Sequence, residues 1–203
     1  NVNGTTTTNN AGLISTSLIG VGSVSDATTV VTYGGGAANV TNTGTIDGRV
    51  GLGASGGNAF LNAGAVSGSV HLGDSTGGNT FTAVSGSSVV AGGGTAIAGV
   101  ITGVTGVKVA AAGSVDAGTG SGATNNTLVL QNSASGTGSG TGGAVTTLGW
   151  NQYLNFRKLT VNSGTWNLQG AWTGAGATTL NDGLVNFNDA GSFGTGLFTA
   201  NGG

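Results

Sequence analysis

The chain has 203 residues, 45 of them glycine, with no proline, cysteine or methionine and a formal net charge of −2. Without proline or a Gly-X-Y period it is not collagen, and 37% hydrophobic content with only 5% charge is not the composition of a disordered chain. The slightly acidic balance offers nucleic acid no basic patch, and no run of 18 apolar residues is long enough to span a membrane as a helix.

Val, Ile, Leu, Thr and Ala make up most of the apolar set, and no twelve-residue window has a helical period free of glycine. The expectation is therefore strands throughout and almost no helix. The opening stretch, NVNGTTTTNN, lacks the basic start and apolar centre of a signal peptide. It reads as a cytosolic start or as a mature form already trimmed, and the lack of cysteine suits the second. Its Thr5, Thr6, Thr7 and Thr8 form a strand-competent run suited to self-association, as a strand added to a neighbouring copy.

Residues 40–58, VTNTGTIDGRVGLGASGGN, and 60–79, FLNAGAVSGSVHLGDSTGGN, match at an offset of 20. Asn42 meets Asn62, Gly44 meets Gly64, Gly48 meets Gly68 and Gly53 meets Gly73. One inserted residue then brings Gly56-Gly57-Asn58 onto Gly77-Gly78-Asn79, and Phe60 onto Phe81. A period near 20 is the mark of a solenoid. Ile46, Val50 and Leu52 alternate with polar residues and recur as Val66, Val70 and Leu72, so stacked units build a continuous core ladder. Asn42 and Asn62 are placed to bond amide to amide from coil to coil. Strands 8–12 residues apart also fit a sandwich, but the 20-residue register favours an all-β parallel solenoid. At about 20 residues and about 4.8 Å per coil, the chain makes roughly ten coils, about 45–50 Å tall.

Repeats are clearest over 40–94, within a first segment ending at residue 132. Inside it, His71, the one histidine, lies between inward Val70 and Leu72 and so should face outward; its counterpart one coil earlier is Gly51. With Asp74 nearby it invites a catalytic reading, but a triad also needs an oriented serine, and a metal site needs more than one histidine without cysteine. Strand grammar continues through VKVAAAGSV (107–115) and NTLVLQ (126–131). Residues 133–144, SASGTGSGTGGA, hold no large apolar side chain and read as a surface loop.

The final segment, 145–203, carries eight of the eleven aromatics. They serve as fillers of wider coils, or Trp150, Trp166 and Trp172 form an exposed strip that binds glycan or a partner. The six aspartates, Asp26, Asp47, Asp74, Asp116, Asp182 and Asp189, are scattered. Asp26 and Asp47 are spaced to stack on neighbouring coils, and Asp182 and Asp189 flank a strand within reach of Arg157 and Lys158. A polysaccharide-cleaving site needs two carboxylates within about 5–10 Å of each other, and turn positions account for all six. Calcium-binding repeats need an aspartate after Gly-Gly-x-Gly, which the Gly-Gly-Asn corners lack. No catalytic residue, metal or cofactor is expected.

The units GTIDGRVGLGASGGNAF and GAVSGSVHLGDSTGGNTF resemble the G-(T/A)-(I/V)-x-G-x-V-x-L-G repeats of autotransporter passenger domains. FRKLTVNSGTWNLQGAW and TTLNDGLVNFNDAGSFGTGLFTANGG are similar to segments in the C-terminal part of those passengers. The resemblance covers most of residues 40–203. It implies a right-handed parallel β-helix at the outer surface of, or secreted by, a Gram-negative bacterium, with roles in adhesion, autoaggregation or biofilm. No cap helix is apparent at either end, so either missing flanks cap this fragment in the intact protein, or coils of one copy stack on those of the next and build a filament. The competing expectation is a monomer that binds glycans or host surfaces.

Overall fold

A computed structural model describes residues 4–15, 28–92, 99, 100 and 107–202. Its first strands are β1 (Thr6–Asn10), β2 (Leu13–Ser15), β3 (Thr28–Gly34), β4 (Ala38–Asn42), β5 (Thr45–Ala54) and β6 (Ala59–Asn62). Next come β7 (Ala65–His71), β8 (Thr80–Val84), β9 (Ser88–Val90), β10 (Gly99–Val100), β11 (Lys108–Val109), β12 (Val115–Asp116) and β13 (Thr127–Gln131). The last are β14 (Thr146–Gly149), β15 (Tyr153–Leu154), β16 (Lys158–Val161), β17 (Thr165–Gln169), β18 (Thr178–Leu180), β19 (Leu184–Phe187) and β20 (Phe198–Ala200). Among the described residues the helical content is one short turn, Ala123–Asn125.

Eight strands form one long sheet in the order β1-β4-β6-β8-β13-β16-β18-β20. A second sheet runs β15-β12-β7-β5-β2, with β3 and β9 on its flanks, and a third runs β14-β17-β19. All these pairings are parallel. The repeat of the sequence is the register of the sheets: Asn42 lies beside Asn62, Phe60 beside Phe81, Ile46 beside Val66 and Val50 beside Val70. Alternation decides what is buried. Ile46, Val50, Leu52, Val66, Val70 and Leu72 are inaccessible to solvent and belong to one continuous core. The Phe60 and Phe81 rings stack in it at 5.5 Å, each contributing about 1.5–3 kcal/mol through burial.

Two expectations need correction. The pair β10–β11 is antiparallel. Too few residues separate these strands for a parallel crossover, which takes a dozen or more. The count of ten coils exceeds the eight strands that the long sheet has among the described residues. Eight strands at about 4.8 Å make a long sheet roughly 34 Å across its strands, because the spacing is not uniform. Aligned residues are 20 or 21 apart in the clear repeats, but 32 apart from β1 to β4, 47 from the β8 level to the β13 level, and 31 around Asn132.

Asparagine side chains tie the levels together. Asn10 Nδ2 donates to Asn42 Oδ1 and Asn42 Nδ2 to Asn62 Oδ1, both at 2.8 Å. The column ends at Ala83, the next residue in register. A second buried column stands at the Gly-Gly-Asn corner. Asn58, Asn79 and Asn126 each accept a backbone N–H from an earlier level, those of Ala38, Asn58 and Asn79, at 2.8–2.9 Å. Their amides cap carbonyls of the adjoining turns. Buried turn backbone that no ladder reaches is satisfied in this way.

Candidate functional site

The chemistry-bearing side chains gather where β11 packs over β5 and β7. His71 alternates away from the core as its neighbours require, yet it is only 5% exposed. The expectation of an outward, solvated histidine is thus half corrected: outward from the core, but covered. Val107 and Val109 of the covering segment are buried in a small cluster of their own, and Arg49 and Ser69, aligned on the same sheet, are fully buried as well. No periodicity announces this cover, because β11 is two residues long and belongs to no repeat.

His71, Asp74 and Asp116 are each held by structural partners. The Gly73 N–H donates to His71 Nδ1 at 2.9 Å, so that nitrogen is an acceptor. Asp74 accepts from Lys108 Nζ at 2.5 Å and from the Thr119 N–H at 2.7 Å. Asp116, beside His71 in register, accepts from the Gly118 N–H at 2.8 Å and from Asn155 Nδ2 at 2.7 Å. Burial lowers the His71 pKa; Asp116 and Asp74 pull it up, less strongly, and Lys108 adds to the lowering. Burial works to raise Asp74, but Lys108 and the Thr119 N–H outweigh it and hold the carboxyl below its ordinary range. The arrangement is a clamp: Lys108–Asp74 fastens the cover, and a neutral imidazole fills the space beneath.

A pH dependence follows. A folded-state pKa below 6.5 means that the unfolded chain binds the His71 proton first. Stability is therefore full above pH 6.5 and declines as pH falls from there through the lowered folded-state value. The urea midpoint should stay level from pH 8 to pH 7 and fall between pH 6.5 and 5. In His71→Asn, whose Oδ1 can accept the Gly73 N–H, that decline should vanish. An identical decline in both proteins counts against the assignment.

The remaining candidates disperse. Asp26 lies outside the described residues. Asp47 accepts from Ser15 Oγ at 3.1 Å. The Gly140 and Gly183 N–H groups, at 2.6 and 2.7 Å, hold the Asp182 carboxyl below its usual range, and through Gly140 it ties down the loop between β13 and β14. Asp189 accepts from the Gly191 N–H, and Lys158 donates to Asn125. These are turn acceptors and a solvated cation, not a carboxylate pair. Among the described residues no three His, Cys, Asp or Glu side chains lie together as metal ligands.

Trp150, Trp166 and Trp172 are buried, at 5%, 0% and 4% exposure, which corrects the exposed strip. Trp150 stacks on Trp172 at 5.1 Å, and Trp166 Nε1 donates to the Ser163 carbonyl at 2.8 Å. The exposed aromatics are elsewhere. Phe187 and Phe198 sit edge-on to Phe193 at 5.0 Å each, beside exposed Leu184 and Leu197, on the last strands of two sheets. At the opposite edge of the long sheet Thr6, Thr7 and Thr8 lie in β1, paired with β4 and with no other described strand, and Thr5 precedes the strand. Among the described residues no helix is long and apolar enough to cross a membrane. Comparison with known proteins finds no matching family model, no similar curated protein and no similar solved structure.

Proposed function

We propose that the chain is a right-handed parallel β-solenoid of the autotransporter-passenger kind, a structural scaffold at the outer surface of, or secreted by, a Gram-negative bacterium. Copies stack end to end, and the resulting filaments serve adhesion, autoaggregation or a biofilm matrix. One observation carries the reading. Phe198 occupies the same inward column as Phe60 and Phe81, through Leu128, Leu159 and Thr178, yet it is 46% exposed where they are 1% and 0%. A core position at the last level is bare because no described strand covers it. The first level of the same column is Thr8, on an edge strand that no described strand covers either. Neither β1 nor β20 carries the lysine, proline or inward charge that blocks edge pairing. Ends that are unlike but complementary in pairing make a heterologous contact, which builds open fibres. With the three tryptophans buried, no observation favours a glycan-binding monomer.

Electron microscopy and sedimentation velocity over a wide concentration range test this. Rods that lengthen with concentration are expected. The Asn201 N–H bonds to Leu180 and Thr178 bonds to the Leu197 carbonyl, so by alternation the Ala200 N–H faces the free edge. Ala200→Pro removes that donor without breaking a ladder bond and should leave discrete monomers of unchanged stability. Wild-type protein that stays monomeric at every concentration sinks the proposal.

A further inference from the structure

Among the described residues the second and third sheets do not meet. β9 pairs with β7 on one side, β14 pairs with β17 on one side, and β9 and β14 do not pair with each other. Their facing edges line a cleft of about 360 Å³. Buried Ala83, Val89, Leu148 and Tyr153 form its floor. At one end the Gly86 N–H donates to Thr146 Oγ1 at 2.8 Å and draws the walls together. At the other end Gln152 Nε2 donates to the Val89 carbonyl and, at 2.5 Å, to the Gly113 carbonyl.

We infer that this cleft is an acceptor site for an extended, uncharged peptide strand of a partner chain, which enters between β9 and β14 and completes the broken sheet. Three observations fit that occupant. First, both walls are main-chain edges. The Ser88 N–H is used on Gly64, and the Trp150 N–H on Gln169, so by alternation Val89 and Thr147 turn their peptide groups into the cleft. Second, the lining carries no charged side chain, so a charged ligand would lose its hydration without compensation. Third, the Gln152 side chain already places an amide donor against Val89. An amide is the group a peptide strand presents, and strand addition derives its affinity from such bonds. About three residues at roughly 3.3 Å each match the length of β9.

The probe is a dye-labelled peptide with the sequence of Thr165–Gln169, the strand that pairs with β14 on its other side, read by fluorescence anisotropy. Binding to dilute monomeric protein is expected. Methylating alternate peptide nitrogens should weaken it at least tenfold in one of the two phases of alternation. Ala83→Leu fills the floor and Thr147→Pro removes a cleft donor; each should also weaken binding at least tenfold, with the thermal transition retained as the folding control. The two variants act independently, so one that fails to fold leaves the other decisive. No binding to wild type, or binding insensitive to methylation, overturns the inference. So does binding that the folded variants leave unchanged, which would place the peptide on the open edges of β1 or β20.

Discussion

Replacing Gly64 by alanine is expected to remove a large share of the stability, while the same replacement at Gly12, the same repeat position two levels earlier, is expected to be nearly silent. A Cβ on Gly64 would lie 2.0 Å from the Gly44 carbonyl oxygen, and one on Gly44 would lie 2.1 Å from that of Gly12. On Gly12 it would meet nothing within 4 Å. The obstructing atom is main chain, so no rotamer relieves the clash. The levels must separate by well over an ångström, which costs the β5–β7 ladder its bonds. The expected loss for Gly64→Ala exceeds about 4 kcal/mol, a large share of a typical 5–15 kcal/mol. Gly12→Ala should change stability by less than about 1 kcal/mol, in the stabilising direction if the backbone there suits alanine. Urea titration of dilute protein, followed by circular dichroism, reads both. Equal effects at the two positions would show that the contact between levels is not what the glycine serves. Gly12→Ala should also obstruct end-to-end stacking, since in a filament the preceding copy supplies the missing carbonyl.

The second large effect is expected at Asn79. Its Oδ1 accepts the Asn58 N–H at 2.9 Å, and its Nδ2 donates to the Gly73 and Ala117 carbonyls, both at 2.7 Å. The side chain is 1% exposed. Alanine would break all three bonds; the Ala117 carbonyl would keep Asn126 Nδ2 at 3.0 Å, and the other two bonds cost about 1–3 kcal/mol each, for a net loss of about 2–5 kcal/mol after relaxation. Asn79→Asp should be no milder, because it keeps the acceptor but turns oxygen toward two carbonyls. The contrast is Asn181→Ala. Asn181 Nδ2 donates to Asn162 Oδ1 at 2.9 Å and its Oδ1 accepts from Asn201 Nδ2 at 2.8 Å, amide to amide and in solvent, where water replaces the lost bonds and less than about 1 kcal/mol should be lost. Thermal melts of the three variants decide it; a small loss at Asn79 would mean that water satisfies the corner.

Much of the architecture is legible in the repeat itself. The offset of 20 between residues 40–58 and 60–79 becomes the hydrogen-bond register, because identical side chains stack best on themselves. Alternation gives the inward set, and the paired asparagines give their own contacts. Legibility stops where the period stops. The cover over His71 rests on a strand of two residues, and its burial of Arg49 and His71 comes from chain far away in sequence. The tryptophans look like a strip because eight aromatics crowd into one segment. Their burial follows from an inward phase that the sequence marks weakly, Trp166 and Leu168 alternating with Thr165 and Asn167. The interruption between β9 and β14 has no signal at all. It arises where no described strand lies, and a sequence marks only the strands it has.

Unequal spacing has a consequence for how such a chain can change. Asn79 and Asn126 keep the bond that joins Asn58 to Asn79, although 47 residues rather than 21 separate them. The entropic cost of the longer closure is about 0.7 kcal/mol, less than one buried hydrogen bond to an asparagine corner. Excursions are therefore nearly neutral in free energy, provided that both ends return to the same ladder position. The segment between β13 and β14 is a place where a foreign loop can be exchanged, lengthened or removed while the ladder beneath keeps its spacing, whereas the one between β9 and β12 is held to its length by the cover that β11 places over β5 and β7.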